Sequence, residues 1–400
     1  MIGLNILRMS DEGVLYGLAR SNDKQSHQGS YSFYKIDREE GKVEKVQTQD
    51  IFLPTVQRRV FTKNGKFIFT ALDAAFMKVF SFDLKTRKLE ILKPEDVSQT
   101  VLDVYENYIL VNRSSSTNTP ELWLGKVSDD NQVNWVQICK PNSFDVQHTC
   151  IDVDEHSFLI MPRQVPEGDG TVPLVAILHG GPHVPEGDGT VPLVAILHGG
   201  PHGASIKSWG SRLVPMLTQL GCAVLQINYP GSLGYDDNYV QQLPGKVGDM
   251  DVKYCAGKID EVVAKFKQLN GHKIAIFGGS HGGFLVSHLA GKYPDKFKAI
   301  IALNPVLNIR TGEANAEMVA KSPIATVHKI RSPFLLIIGG KDLRVAPHFR
   351  TFLRELRING VTNKVLYYPE SNHALEEVEV DADLQINTIL WIKEHLGLEK

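Results

Sequence analysis

Ser280 is the residue whose surroundings point most directly to chemistry. It lies in the run 278–282, Gly-Gly-Ser-His-Gly, which matches the pattern Gly-x-Ser-x-Gly of a nucleophile elbow. In such an elbow the serine occupies a strained turn between a strand and a helix, where bulky neighbours would clash. A predicted strand at 273–277 precedes the motif and a predicted helix follows it. We therefore predict a nucleophilic serine rather than an incidental glycine-rich turn.

Asp342 and His373 supply an acid and a base in the chain order that follows such a serine. A serine hydroxyl is a weak nucleophile without a base. Each of the two residues follows an apolar run that we predict to be a buried strand. In these positions Asp342 would orient the imidazole, and His373 would take the Ser280 proton and return it to the leaving group. Glu370 is the less favoured acid, because it lies on the same loop only three residues before His373.

The oxyanion that forms during acyl transfer needs two hydrogen-bond donors. The backbone N–H of His281 is the first, because this residue follows the nucleophile. A loop with the sequence His-Gly-Gly-Pro-His-Gly at 198–203 follows an earlier predicted strand, and we take Gly200 as the second donor. The same five residues His-Gly-Gly-Pro-His occur at 179–183 and offer Gly181 as a competing donor. We favour Gly200 because only its copy continues into a further glycine and a helix.

Metals, cofactors and large charged partners are not indicated. His198 and His202 stand four residues apart, but the Gly-Gly-Pro between them predicts a turn rather than a metal-binding helix. The four cysteines form no CxxC pair, which favours reduced thiols. A net charge of −2 gives no reason to expect nucleic acid or an anionic membrane. No apolar run approaches the roughly 20 residues of a membrane helix, and no signal-peptide pattern is present. We expect a cytoplasmic protein without a cofactor.

The elements that must position these residues change in character near residue 150. Residues 1–150 contain short β-rich runs between Gly, Asn and Asp turns, which predicts a truncated, β-propeller-like region of roughly three blades. Residues 151–400 alternate apolar runs with helical patterns, which predicts an α/β-hydrolase domain with a mainly parallel sheet. Its functional residues should lie at the carboxyl ends of the strands. We predict strands at 191–197, 223–227, 274–277, 299–303, 334–338 and 365–368, and helices at 211–220, 252–269, 284–291, 349–359 and 381–396.

One segment is duplicated. Residues 165–183 recur without a change as 184–202. Both copies contain the apolar run Val-Pro-Leu-Val-Ala-Ile-Leu, yet the predicted sheet has one place for it. The surplus copy would have to bulge out, lie on the surface or stay disordered, and an extra apolar strand favours aggregation. We interpret the repeat as a recent duplication or a gene-model error rather than a functional device.

Four runs together resemble the acylaminoacyl-peptidases of the prolyl oligopeptidase family. They are GGSHGGF at 278–284, HGGPH at 198–202, NYPGSLGY at 228–235 and YPESNHALEEVEV at 368–380. The resemblance implies a serine omega-peptidase that removes an N-acylated, usually N-acetylated, residue from short peptides through an acyl-enzyme. It also implies a cytoplasmic protein that can form a homo-oligomer, with a β-propeller that keeps folded proteins from the site.

Three features differ from the family pattern, and two alternatives remain open. The N-terminal region is several times shorter than the family's propeller, the segment after Asn304 passes quickly to Lys321, and Pro230 stands where the family has arginine. One alternative is a carboxylesterase or general serine peptidase on the same triad, since a fold does not fix the substrate. The other is an inactive hydrolase-fold interaction protein, which the truncation and the duplication would favour.

Overall fold

The computed structural model of the chain forms two compact units. The first comprises Met1–Val146, Ile206–Gly210 and Gly231–Pro244, and the second comprises Gln147–Ser205, Ser211–Pro230 and Gly245–Lys400. The structure describes residues 3–10, 12–20, 29–37, 39–47, 49–92, 95–139, 148–162, 190–210, 213–309 and 316–398. The first copy of the duplicated segment, with Gly181, lies outside the described residues.

The described part of the first unit contains three antiparallel sheets of four strands each, in the sequential orders β1-β2-β3-β4, β5-β6-β7-β8 and β9-β10-β11-β12. Aromatic side chains pack in one cluster of its core, where the ring of Phe33 lies 4.9 Å from that of Phe67 and 4.3 Å from that of Phe82, and aliphatic side chains form a second cluster. The sheets confirm the predicted all-β, propeller-like character. The strands are β1 (Gly3–Met9), β2 (Leu15–Arg20), β3 (Tyr31–Ile36), β4 (Val43–Lys45), β5 (Phe52–Thr55), β6 (Lys66–Asp73), β7 (Phe76–Asp83), β8 (Leu89–Leu92), β9 (Ser98–Tyr105), β10 (Tyr108–Ser114), β11 (Glu121–Val127) and β12 (Val133–Cys139).

Two short segments that the sequence assigns to the region 151–400 pack instead with the first unit. The backbone N–H of Lys207 donates to the carbonyl of Ala75 at 2.7 Å, and that of Ala74 donates to the carbonyl of Gly234 at 2.6 Å. These backbone bonds to the β6–β7 turn explain why 206–210 and 231–244 group with the β-rich unit. The second segment carries the short helix α2 (Asp237–Gln241).

The second unit is built on one eight-stranded sheet with the order β13-β14-β16-β15-β17-β18-β19-β20. From β16 to β20 neighbouring strands run parallel, whereas β13 and β14 form an antiparallel edge. This mixed sheet with its helices confirms the predicted α/β-hydrolase fold with a mainly parallel sheet. The elements are β13 (His148–Asp154), β14 (Ser157–Pro162), β15 (Val191–Leu197), α1 (Leu213–Gln219), β16 (Ala223–Ile227), α3 (Met250–Lys265), β17 (Leu269–Gly279), α4 (His281–Lys292), β18 (Ala299–Leu303), α5 (Ala316–Ala320), a 3₁₀ helix (Pro323–Lys329), β19 (Phe334–Gly339), α6 (Ala346–Ile358), β20 (Asn363–Tyr368) and α7 (Val378–Leu396).

Burial on both faces explains the apolar strands at the centre of this sheet. All six residues of β19 are buried, and so are Leu193, Val194 and Ala195 of β15. The strand of the second copy of the duplicated segment is the one that fills the β15 position. None of the helices in the described ranges is long and apolar enough to cross a bilayer.

The strand that leads to Ser280, β17, is longer than the sequence predicts. It begins at Leu269, where the sequence predicts the end of a helix, and α3 ends earlier, at Lys265. Val191 pairs with Leu269, and the register then shifts so that Leu193 pairs with Ile274. This irregular pairing takes residues 269–273 into the strand, although their Asn-Gly-His sequence carries no strand pattern.

Candidate active site

Ser280 occupies a strained turn between β17 and α4. Its φ is +56° and its ψ is −115°, a region that non-glycine residues rarely adopt. Its N–H donates to the carbonyl of Leu303 at 2.9 Å, and its carbonyl accepts the N–H groups of Phe284 at 3.0 Å and Val306 at 3.2 Å. These backbone bonds hold the serine in the geometry of the elbow that the sequence predicts.

Gly282 faces the backbone of the neighbouring strand β15. A Cβ added at this position would lie well inside van der Waals contact of the Leu197 carbonyl oxygen and 3.1 Å from the carbonyl oxygen of His198. Backbone atoms of a central strand cannot move aside as a flexible side chain can. Only glycine therefore allows the first turn of α4 to approach β15 this closely.

We expect Gly282→Ala to lower the free energy of unfolding by about 1–3 kcal/mol, because an overpacked core forces the backbone to shift. Gly257→Ala is the matched control, since Gly257 is an exposed residue of α3 with no atom within 4 Å of an added Cβ. There alanine should raise stability by about 0.5–1 kcal/mol. Urea unfolding of both variants measures the difference. Equal stabilities would show that the elbow does not need a glycine at 282.

Asp342 and His373 meet on the loops that follow two adjacent parallel strands, β19 and β20. Nδ1 of His373 contacts Oδ2 of Asp342 directly. The Asp342 side chain is 1% exposed, whereas that of His373 is 25% exposed. The other carboxylate oxygen accepts the N–H of Arg344 at 3.1 Å. With Nδ1–H donating to the carboxylate, the lone pair of Nε2 is left free to accept a proton.

Neither Ser280 nor Glu370 forms a hydrogen bond with His373 among the described residues. The hydrogen bonds of the described residues include none between the Ser280 hydroxyl and His373, a contact that is often long before substrate binds. Glu370, the alternative acid, is 82% exposed and forms an ion pair with Lys341 at 2.6 Å. The structure thus brings Asp342, and not Glu370, to the imidazole.

The glycine loop of the second copy lies against Ser280. A Cβ added at Gly199 would be 3.3 Å from Cβ of Ser280. Gly200 has a φ of +134°, which only glycine adopts readily, and its loop follows the carboxyl end of β15. The backbone N–H of His281 begins α4 directly after the serine. Both predicted oxyanion donors therefore belong to segments that border Ser280.

The side chain of His281 is held by a partner that the sequence did not reveal. Its Nε2 lies 2.9 Å from Oδ2 of Asp251, whose side chain is fully buried. Oδ1 of Asp251 accepts the N–H groups of Gly248 at 2.8 Å and Val252 at 2.9 Å. Asp251 lies 30 residues before His281, in the first turn of α3. Acidic residues are common in a first helical turn because the helix dipole favours them there, so the sequence gives no sign of this contact.

Aromatic rings continue this buried network. The imidazole of His198 stacks on Tyr229 at 4.3 Å, and His281 stacks on Phe284 at 4.9 Å. The Tyr229 hydroxyl donates to the His198 carbonyl at 3.0 Å, and burial raises its pKa well above the usual value. Burial also lowers the pKa of His198 to about 4, so its ring is neutral at pH 7. Among the described residues no group of three or more His, Cys, Asp or Glu side chains is arranged to bind a metal.

His288, on the far side of Phe284, should make the fold sensitive to acid. It is 2% exposed, and its Nε2 donates to the carbonyl of Lys321 at 3.0 Å. Burial, followed by the charge of Lys292, lowers its pKa from 6.5 to about 4. Below pH 6.5 the unfolded chain binds a proton that the folded chain does not, so stability falls as the pH drops toward 4.

Between pH 7 and pH 5 the unchanged chain should lose about 2 kcal/mol more of its free energy of unfolding than the His288→Gln variant loses. His328→Gln, at an exposed histidine, is the control and should leave the loss unaltered. Urea unfolding at both pH values gives the comparison. A pH dependence identical in all three proteins would contradict this role of His288.

The chain is similar in sequence to a known family and to several known proteins. Residues 209–319 and 310–399 match the prolyl oligopeptidase family. The chain is 38% identical to the acylamino-acid-releasing enzyme of Rattus norvegicus in an alignment of 285 positions, gaps included, that covers 64% of this chain and 36% of the rat protein. The acylamino-acid-releasing enzyme 1 of Oryza sativa subsp. japonica is 27% identical in an alignment of 467 positions, gaps included, that covers 98% of this chain and 58% of the rice protein. The chain thus spans about a third to somewhat over half of the curated relatives it matches.

Solved structures share the fold. The acylaminoacyl peptidase of Pyrococcus horikoshii aligns with a TM-score of 0.76 at 16% identity, covering 98% of this chain and 63% of that one. A puromycin hydrolase aligns with a TM-score of 0.73 at 16% identity, covering 100% of this chain and 62% of the other. At such low identity the alignments establish the architecture alone.

Proposed function

The C-terminal part of the chain belongs to the prolyl oligopeptidase family of serine peptidases, and from this premise we propose that the protein is a serine omega-peptidase. Its substrates are short peptides with an N-acylated, above all N-acetylated, first residue. The observation that carries the proposal is the buried Asp342 bound to Nδ1 of His373, on loops next to the strained elbow of Ser280. The names of the relatives supply the substrate class.

In the proposed reaction, Oγ of Ser280 attacks the carbonyl carbon of the acylated residue while Nε2 of His373 takes its proton. The carbonyl oxygen becomes an oxyanion that accepts hydrogen bonds from the backbone N–H groups of His281 and Gly200. When the tetrahedral intermediate collapses, the C–N bond breaks and His373 returns the proton to the departing peptide amine. The acylated residue is then an ester on Ser280. Water, deprotonated by His373, hydrolyses the ester and releases the acylamino acid.

Asp342 performs no proton transfer in this scheme. Its carboxylate keeps the His373 proton on Nδ1 and stabilises the imidazolium that forms during the attack. Burial of Asp342 keeps water from competing for that hydrogen bond, which strengthens it.

The proposal is tested by measuring the turnover of three compounds by the purified chain. They are an N-acetyl-alanyl anilide, the same anilide with a free amino group, and a butyrate ester. We expect turnover of the first alone among the amides, because the free amine lacks the acyl group that the site requires. Equal turnover of both anilides would favour a general peptidase, and turnover of only the ester a carboxylesterase. No turnover of any of them by folded protein would support the inactive, partner-binding alternative.

A further inference from the structure

Asn304 lies at a central place in the second unit. It follows β18 directly, and β18 lies in the sheet between β17, which leads to Ser280, and β19, which leads to Asp342. The residue is 1% exposed and has a φ of +38°. Asparagine is among the few L-residues that enter this left-handed region at low cost. A buried amide in such a conformation is retained only where its polar atoms find partners.

The side chain of Asn304 uses both ends of its amide. Its Oδ1 accepts the N–H of Gly339, the last residue of β19, at 2.8 Å. Its Nδ2 donates to the carbonyl of His373 at 2.9 Å and to the carbonyl of Asn372 at 3.3 Å. One amide group therefore joins the loop of the acid to the loop of the base.

The backbone around Asn304 holds the nucleophile from the other side. The carbonyl of Leu303 accepts the Ser280 N–H at 2.9 Å, and the N–H of Val306 donates to the Ser280 carbonyl at 3.2 Å. The N–H of Asn304 itself donates to the carbonyl of Ile337 at 2.8 Å. The turn at 303–306 thus contacts the segments of all three proposed catalytic residues.

We propose that Asn304 is a positioning residue that sets the place of His373 relative to Ser280 and Asp342. This inference rests on the proposed function for the roles of those three residues. Because the Ser280 hydroxyl and His373 are not hydrogen-bonded to each other, their separation is set by the loops that carry them. Asn304 supplies the side-chain hydrogen bond to the backbone of His373 itself.

Two substitutions separate the amide from the backbone shape. Asn304→Gly removes the side chain and keeps a residue that tolerates a positive φ. Asn304→Asp keeps the shape and the acceptor for Gly339, but turns the donor into an oxygen that repels the carbonyls of Asn372 and His373. Thr218→Val is the control, since Thr218 is a buried residue of α1 whose hydroxyl donates to the carbonyl of Pro215 at 3.0 Å and lies 3.3 Å from Nδ1 of His148 in the edge strand β13.

Each variant is tested for kcat and KM on the acetylated anilide, for its rate of labelling by a fluorophosphonate, and for the low-field proton resonance of the His373–Asp342 bond. A shift of about 1 Å in a reacting group can lower the rate by about 10²-fold. We expect both Asn304 variants to lose about 10- to 100-fold in kcat and in labelling rate, with KM changed less than threefold and the resonance broadened or shifted. Thr218→Val should change none of these, even where it lowers the melting temperature.

The labelling rate and the resonance do not depend on the peptide substrate, so this test can fail separately from the proposed function. If the unchanged chain does not turn over the acetylated anilide but is labelled by the fluorophosphonate, only the substrate assignment is contradicted. Unchanged labelling and resonance in a folded Asn304→Gly or Asn304→Asp protein would overturn the positioning role. Failure of both variants to fold would also overturn it, in favour of a purely structural role for Asn304.

Discussion

Replacing Ser280 with alanine should lower turnover of the acetylated anilide by about 10⁶-fold, the loss typical of removing the nucleophile from an intact serine triad. Without Oγ no acyl-enzyme can form, and the oxyanion donors alone leave only weak catalysis. The fold should persist, because backbone bonds to Leu303, Phe284 and Val306 hold this residue and do not involve its side chain. Progress curves at high enzyme concentration measure the residual rate, and circular dichroism measures the fold.

Ser332→Ala is the matched control for Ser280→Ala. Ser332 is a buried serine of the same unit whose hydroxyl donates to the carbonyl of Pro294 at 3.2 Å, away from the elbow. Its loss should cost stability and leave kcat within about twofold, since it removes one hydrogen bond of roughly 1 kcal/mol. Activity retained in Ser280→Ala would assign the reaction to another nucleophile.

Replacing Asp342 with asparagine should lower kcat by about 10⁴-fold without changing the shape of the loop. An amide NH₂ facing Nδ1 of His373 would donate where the carboxylate accepts. The imidazole would then carry its proton on Nε2, which could no longer take the proton of Ser280. The burial of Asp342 enlarges the effect, because water cannot enter to restore the tautomer.

Glu370→Gln distinguishes the two carboxylates that the sequence offers as the acid. Glu370 is exposed and paired with Lys341, so its neutralisation should alter kcat by less than about twofold. Steady-state kinetics of the two variants side by side provide the measurement. A larger loss in Glu370→Gln than in Asp342→Asn would reverse the assignment of the acid.

The central strands and the loops after them could be predicted because burial on two faces leaves a continuous apolar run. The runs at 191–197, 223–227 and 299–303 coincide with β15, β16 and β18. Of the five residues predicted at the site and described by the structure, Asp342 and His373 are in direct contact. The catalytic roles of all five residues stay predictions, although the geometry supports them. Oligomer formation also stays a prediction, and no observation of the structure bears on it.

The contacts that support the site could not be predicted, because they join residues far apart in the chain. Nothing in the sequence distinguishes Asp251 from an ordinary acidic residue of a first helical turn, yet it binds His281. Asn304 similarly looks like a turn residue before a proline, and its three partners lie 35 to 69 residues further on. Such partners follow from the order of strands in the sheet, which periodicity does not specify.

The choice of residues on the buried face of α7 also depends on packing. From the sequence, helical spacing predicts that Leu384, Ile389, Ile392 and Leu396 share the apolar face of the last helix. In α7, Leu384, Ile392 and Leu396 are buried, whereas Ile389 is only partly buried. Thr388 and Trp391 occupy the buried face instead. With 3.6 residues per turn a face defined by 384, 388, 391 and 392 is continuous, and position 389 lies to one side of it.

The most direct test of the account is the reaction of the folded chain with a fluorophosphonate, followed by mass spectrometry of its peptides. Labelling requires a serine activated by a base, whatever the natural substrate. We predict one label per chain, on the peptide that contains Ser280, absent from Ser280→Ala and from heat-unfolded protein and strongly slowed in Asp342→Asn. A folded chain that takes up no label, or that carries it on another serine, would contradict the account.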